Sequence, residues 1–203
     1  MRVRTASVLL VAAMAASAVG VSASPATAAA DINATYPING VSHIDSNDSD
    51  LPLGPGSLHA TVDLDSGALT ASVSLPPATG NFKELGIIPV TATVEFIEAE
   101  PTTGSLNLDT GGMQSTSHIT LRLTRLTIAG LPAPVGSRCQ TVRPAEIPLT
   151  SQPGFSVLRG GVVSGTYTIP PFEHCLLNTG LINLTIPGPG NTLTLTLGPA
   201  VLG

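Results

Sequence analysis

This chain has no tryptophan, only 3% aromatic residues and only 10% charged residues. Carbohydrate-binding surfaces usually present aromatic platforms, and this scarcity counts against a sugar-binding face. Only two cysteines are present, Cys139 and Cys175, so neither a Cys-x-x-Cys redox pair nor a zinc knuckle can form. The four histidines, His43, His59, His118 and His174, are scattered without ligand spacing, and no His-Glu-x-x-His occurs. No Gly-x-Ser-x-Gly elbow is present: Gly161-Val-Val-Ser164-Gly165 has the wrong spacing. Gly188-Pro-Gly190 lacks the lysine and helix of a phosphate loop. No catalytic constellation survives, which argues for a non-enzyme without a cofactor.

What is abundant is glycine, with 21 residues, and proline, with 18. They leave little room for long helices. Apolar residues recur with period two nearly everywhere. Leu58, Ala60 and Val62 alternate with polar neighbours, Asp65-Ser66-Gly67 turns the chain, and Leu69, Ala71 and Val73 resume the alternation. This reads as a hairpin. Val90, Ala92, Val94 and Phe96 form a third strand, with a break in phase at Ile97. Ile119, Leu121 and Leu123 form another, whose phase shifts at Arg125-Leu126 as at a bulge. Further strands are expected near residues 141–149, 162–169, 181–186 and 192–197. The sum predicts an all-β, antiparallel sandwich or open barrel.

One internal match stands out. Gly67-Ala-Leu-Thr-Ala-Ser-Val-Ser-Leu-Pro-Pro77 aligns without a gap on Gly161-Val-Val-Ser-Gly-Thr-Tyr-Thr-Ile-Pro-Pro171. The same offset aligns Gly86-Ile87-Ile88 with Gly180-Leu181-Ile182. Each copy reads as a strand stopped by prolines, which cannot donate to a ladder. The expectation is two pseudo-repeated halves, about 41–110 and 111–203, sharing one core.

Residues 1–30 have the layout of a secretory signal: Arg2 and Arg4, an apolar stretch from Val8 to Val21, then small residues to Ala30. The apolar stretch is short for a membrane span. A secreted or cell-wall-associated domain over 31–203 is expected, with no transmembrane segment after cleavage. Setting aside Arg2 and Arg4 leaves six basic and thirteen acidic residues, a formal charge of −7. The acids crowd into residues 31–110, where eleven of them face a single lysine, Lys83. So acidic a chain is a poor partner for nucleic acid. In an exported protein Cys139 and Cys175 are most simply a disulfide.

The stretches Val135-Gly-Ser-Arg-Cys139, Gly165-Thr-Tyr-Thr-Ile-Pro-Pro-Phe-Glu-His-Cys175 and Pro187-Gly-Pro-Gly-Asn-Thr192 resemble small secreted β-rich proteins of actinobacteria. The first-half hairpin and its Leu-Pro-Pro end are similar to the same group. The resemblance implies export, β structure and a disulfide, and it brings no catalytic residues.

The densest set of oxygen donors is Asp45, Asn47, Asp48 and Asp50, a weak calcium candidate. Alternate donors suit a calcium loop, but Asp50 stands where the turn glycine belongs and Gly56 where the closing glutamate belongs. An unliganded turn is the simpler reading. Asp63 and Asp65 share a strand face, where like charges guard an edge more often than they flank a substrate. The functional expectation is a non-catalytic binding or structural module that contacts an unidentified envelope or extracellular component. A carrier of an apolar ligand such as a lipid is the alternative, and a secreted hydrolase the second.

Overall fold

The computed structural model describes residues 31–84 and 87–203; the signal-like segment 1–30 and Gly86 of the internal match lie outside them. Thirteen strands run in chain order: β1 (Asp31–Ile44), β2 (Ser49–Asp63), β3 (Ala68–Ser74), β4 (Ala78–Glu84), β5 (Ile88–Leu106), β6 (Met113–Ile128), β7 (Leu131–Pro132), β8 (Gln140–Thr141), β9 (Ala145–Ser151), β10 (Gly161–Ile169), β11 (Phe172–Glu173), β12 (Gly188–Leu197) and β13 (Val201–Leu202). Every pairing between them is antiparallel. Eight strands close into a ring, β6-β9-β10-β12-β1-β2-β3-β5, because β5 returns to pair with β6. The expected all-β architecture is present. Its form is a closed barrel, where the sequence left a sandwich or an open barrel. Closure removes the edges an open sheet would leave to other chains.

The alternation seen in sequence is the alternation of the barrel wall. Leu193, Leu195 and Leu197 of β12 point inward between exposed threonines. Along β6 the inward set is Met113, Ser115, Ser117, Ile119, Leu121 and Leu123, then Leu126. The change of parity at Leu126 has a visible cause. Thr93 faces Arg125 but Val94 faces Leu123, so Thr124 is an extra residue in β6. A second irregularity lies between Glu98 and Glu100, just past the break expected at Ile97.

Prolines divide strand paths without ending them. β3 and β4 both pair with the long β5, in nearly continuous register from Ala68↔Ser105 to Glu84↔Ile88, with Pro76-Pro77 between them. β10 and β11 follow β9 and β8 in the same way across Pro170-Pro171. Both proline pairs thus sit where a ladder has to be interrupted. Beyond them the two matched stretches part: Ile88 opens β5, whereas its match Ile182 lies in a helix.

That helix, α1 (Thr179–Thr185), replaces the strand expected near 181–186. Ile182 and Thr185 are buried while Leu181 and Leu184 face solvent, a spacing of three that a helix satisfies and a strand does not. Its Asn183 side chain spans Phe172, accepting from the backbone N–H at 2.7 Å and donating to the carbonyl at 2.8 Å. These bonds hold α1 against β11 at one end of the barrel. Ser46 in the β1–β2 turn donates to the carbonyl oxygens of Thr185 and Ile186, both at 2.9 Å, so the turn and the end of α1 are tied together. The opposite end is crossed by the loop after β9, pinned where the Tyr36 hydroxyl donates to the Val157 carbonyl at 2.7 Å.

Candidate functional site: an apolar cavity inside the barrel

Inward alternation from eight strands leaves a cavity of about 150 Å³ in the barrel. Its wall is mainly apolar, built of aliphatic side chains with Phe82, Phe96, Phe155 and Phe172. Alanines at Ala60, Ala71 and Ala92 help to keep the space open. An enclosed apolar void of about this size has room for a benzene-sized guest.

The wall is not equally sealed. On β6, β9, β10 and β12 the lining residues are fully buried: Leu123, Ile147, Val163 and Leu195 are all below 9% exposed. On β2 to β5 the lining residues Leu51, Leu58, Val73, Leu75, Phe82 and Phe96 are only half-buried. This is the region where ladders are missing. Ser49–Leu53 of β2 pairs with β1 on one side only, and β4 packs alongside without a ladder. Between Ala71 and Ala78 nothing on the β3–β4 path pairs with β5.

A few polar groups face this interior. The hydroxyls of Ser42 and Tyr167 meet at 2.7 Å, and those of Thr102 and Ser117 at 2.7 Å. Such pairing is what makes buried hydroxyls tolerable. Burial pushes the Tyr167 phenol above its ordinary value, and the Ser42 hydrogen bond pulls partly the other way. Burial likewise raises Tyr36. Glu98 lines the cavity from β5 and is its only carboxylate among the described residues. One carboxylate oxygen accepts from the Ser72 hydroxyl at 2.8 Å, the other from the Val73 backbone N–H at 3.3 Å.

The Tyr167 shift has a consequence for stability. The folded chain holds the phenolic proton at pH values where the unfolded chain, near pH 10, releases it. The native state therefore binds more protons there, and stability falls as pH rises through the unfolded and towards the folded value. Tyr167→Phe is expected to cost about 1 kcal/mol at neutral pH through the lost Ser42 bond. It should also flatten the decline above pH ~10. Denaturant unfolding between pH 8 and 11.5 checks this, and parallel slopes for the two proteins would refute it.

The sequence-derived candidates lie elsewhere. The Asp45 backbone N–H donates to the Asn191 side chain at 3.1 Å, and Asn47 accepts from Ser49. Asp48 and Asp50 face His43, at 3.8 and 2.9 Å from its ring nitrogens. Among the described residues no three His, Cys, Asp or Glu side chains group as metal ligands. Asp63 ends β2 and organises the turn that follows: it accepts from the N–H groups of Ser66 and Asp65 at 3.0 and 2.8 Å, which lowers its carboxyl below the ordinary value. Cys139 and Cys175 are disulfide-bonded and wholly buried, joining the segment before β8 to the end of β11.

A second depression, of about 450 Å³, lies over the polar outer face of β1 to β3. There the Thr35 hydroxyl and His59 Nδ1 meet at 2.9 Å, but among the described residues no carboxylate orients that imidazole. A nucleophile, base and orienting acid do not converge there. Among the described residues no helix is long and apolar enough to cross a membrane.

The inward polar groups were not singled out from sequence, yet the signal was present. Glu98 continues the even-numbered phase of Val90, Ala92, Val94 and Phe96. Ser42 shares the phase of Tyr36, Ile38 and Ile44. An acid or hydroxyl in the inward phase of an apolar strand marks a polar group aimed at the core. Comparison of the chain with protein-family models, with curated proteins and with solved structures finds no match in any of the three.

Proposed function

We propose that this protein is an exported, non-catalytic binding protein whose barrel interior takes a small or slender apolar ligand. The observation that carries the reading is the cavity of about 150 Å³ with its aliphatic and phenylalanine wall. Binding there is driven by removal of apolar surface from water, and no reactive group is required. The size narrows the guest. Pockets that enclose drug-sized molecules run to about 300–1,000 Å³. This one suits a single alkyl chain or one ring, not a whole two-chain lipid. The carrier reading is therefore favoured over a purely structural module, with the ligand class reduced in bulk. Export rests on the signal-like residues 1–30 and is compatible with the disulfide. The two proline-interrupted strand paths, with Leu69 and Val163 both inward, support an origin in duplicated halves.

Calorimetric titration of the purified protein with octanol tests the reading. Saturable binding is expected, with the negative heat-capacity change of apolar burial. Ala60→Leu places three further carbons into the void and should weaken octanol at least tenfold while the far-ultraviolet dichroism stays unchanged. Absence of octanol binding at millimolar concentration would sink the cavity reading and leave the structural module.

A further inference from the structure

We propose that Glu98 is a head-group anchor, and that the ligand is a cationic amphiphile: an alkyl or aryl tail in the barrel with a protonated amine at Glu98. This rests on the cavity reading above and adds to it the chemistry of the ligand's polar end. The cavity has apolar walls on all eight strands of the ring and, among the described residues, a single carboxylate, placed where those walls are half-open. An amphiphile bound with its tail inward brings its polar end to that position.

Three observations give the anchor its sign and readiness. Glu98 is held in place before any ligand arrives. The ladder between β3 and β5 is broken beside Pro76-Pro77, and the Glu98 carboxylate takes the Val73 N–H that lacks a strand partner there. With the Ser72 hydroxyl this uses two of the roughly four acceptor positions of a carboxylate, leaving the others for a donor. Among the described residues Glu98 also has no cation of its own. The two other glutamates of β5 that face β6 are matched: Glu95 pairs with Arg122, and Glu100 lies 4.0 Å from His118. Finally, the surrounding half of the chain, residues 31–110, carries eleven acids against one lysine, a field that draws cations and repels carboxylates. A charge-assisted hydrogen bond from an ammonium to a fixed carboxylate is stronger than one from a neutral hydroxyl.

Titration with octylamine, octanol and octanoate at pH 7 and low salt separates the possibilities, because the three share one tail. Octylamine is expected to bind at least tenfold more tightly than octanol, and octanoate more weakly than either. Glu98→Gln keeps an acceptor for Val73 and removes the charge. It should abolish the amine's advantage over octanol, with both ligands measured in the same variant so that the ratio and not either affinity is read. If that variant folds poorly, the wild-type protein still decides the matter: the amine's advantage should shrink severalfold at 1 M salt while octanol binding holds or strengthens. Equal binding of amine and alcohol, a preference for octanoate, or an amine preference that persists in Glu98→Gln would overturn the anchor while sparing the cavity. Failure of all three ligands to bind would overturn both.

Discussion

Gly165→Ala is expected to destabilise the protein by about 3 kcal/mol or more, among the largest effects of adding one methyl group anywhere in the chain. Gly165 lies in β10 between β9 and β12, inside the closed ring. A Cβ built there would stand 1.8 Å from the Pro148 carbonyl oxygen, a backbone atom that no rotamer change can remove. The reason for the close approach is local. Pro148 has no N–H to offer β10, the β9–β10 ladder consists of Val163↔Ser151 and Ser164↔Thr150 alone, and just past it the Pro148 carbonyl lies against Gly165. Relief requires moving one barrel strand away from its neighbour, and in a ring that movement is passed on to the next pair. Gly111→Ala is the control. It has positive φ but nothing within 4 Å, so only about 1 kcal/mol of backbone strain is expected. Urea unfolding of both variants checks the contrast. A Gly165→Ala midpoint as high as that of Gly111→Ala would mean that the wall yields far more easily than its geometry implies.

Gly165 also shows how far sequence reasoning reached. In the internal match it aligns with Ala71, and by residue class the two are equivalent. By environment they differ: Ala71 pairs normally with Ala60 and Thr102, whereas Gly165 faces a proline carbonyl. The strands themselves were legible because a half-buried strand writes its two faces as period two, and the bulge at Thr124 was legible as a change of parity. Ring closure was not. It depends on β5 pairing with β3 and β4 along one side and β6 along the other, a long-range choice that carries no local pattern. The helix at Thr179–Thr185 was missed for a related reason. Leu181, Asn183 and Thr185 mimic a short alternating strand, and only the packing of Ile182 and the Asn183–Phe172 bonds selects the helix. The cavity was open as a question because period two says which side chains point inward, but not whether they meet. Glu98 was readable in phase, but its meaning depends on a ladder break that only the pairing reveals.

Loss of the disulfide is expected to cost about 4 kcal/mol, from the entropy of the unfolded loop between cysteines 36 residues apart. The structure explains why this region depends on it. β8 and β11 are two residues each, and β8 pairs with β6 at one ladder position, Arg122↔Gln140, supplemented by the Leu121 N–H donating to the Thr141 hydroxyl at 3.3 Å. Ladders this short hold little on their own. The bridge ties them to α1 through a segment already anchored twice: the Leu123 N–H donates to the Cys139 carbonyl at 2.9 Å, and the Cys175 N–H to the Thr179 hydroxyl at 3.1 Å. Phe172 and Ile186, which flank α1, belong to the cavity wall, so loosening this end should also weaken ligand binding. The double variant Cys139→Ala/Cys175→Ala should unfold at a distinctly lower urea concentration than the oxidised protein, and its octanol affinity should fall severalfold before global unfolding begins. Wild-type protein reduced under native conditions should behave as the variant does, which separates the missing bond from the missing sulfur atoms. If the variant and the reduced protein both unfold within about 1 kcal/mol of the oxidised form, the short ladders are stronger than their length implies, since loop closure alone predicts several times that loss.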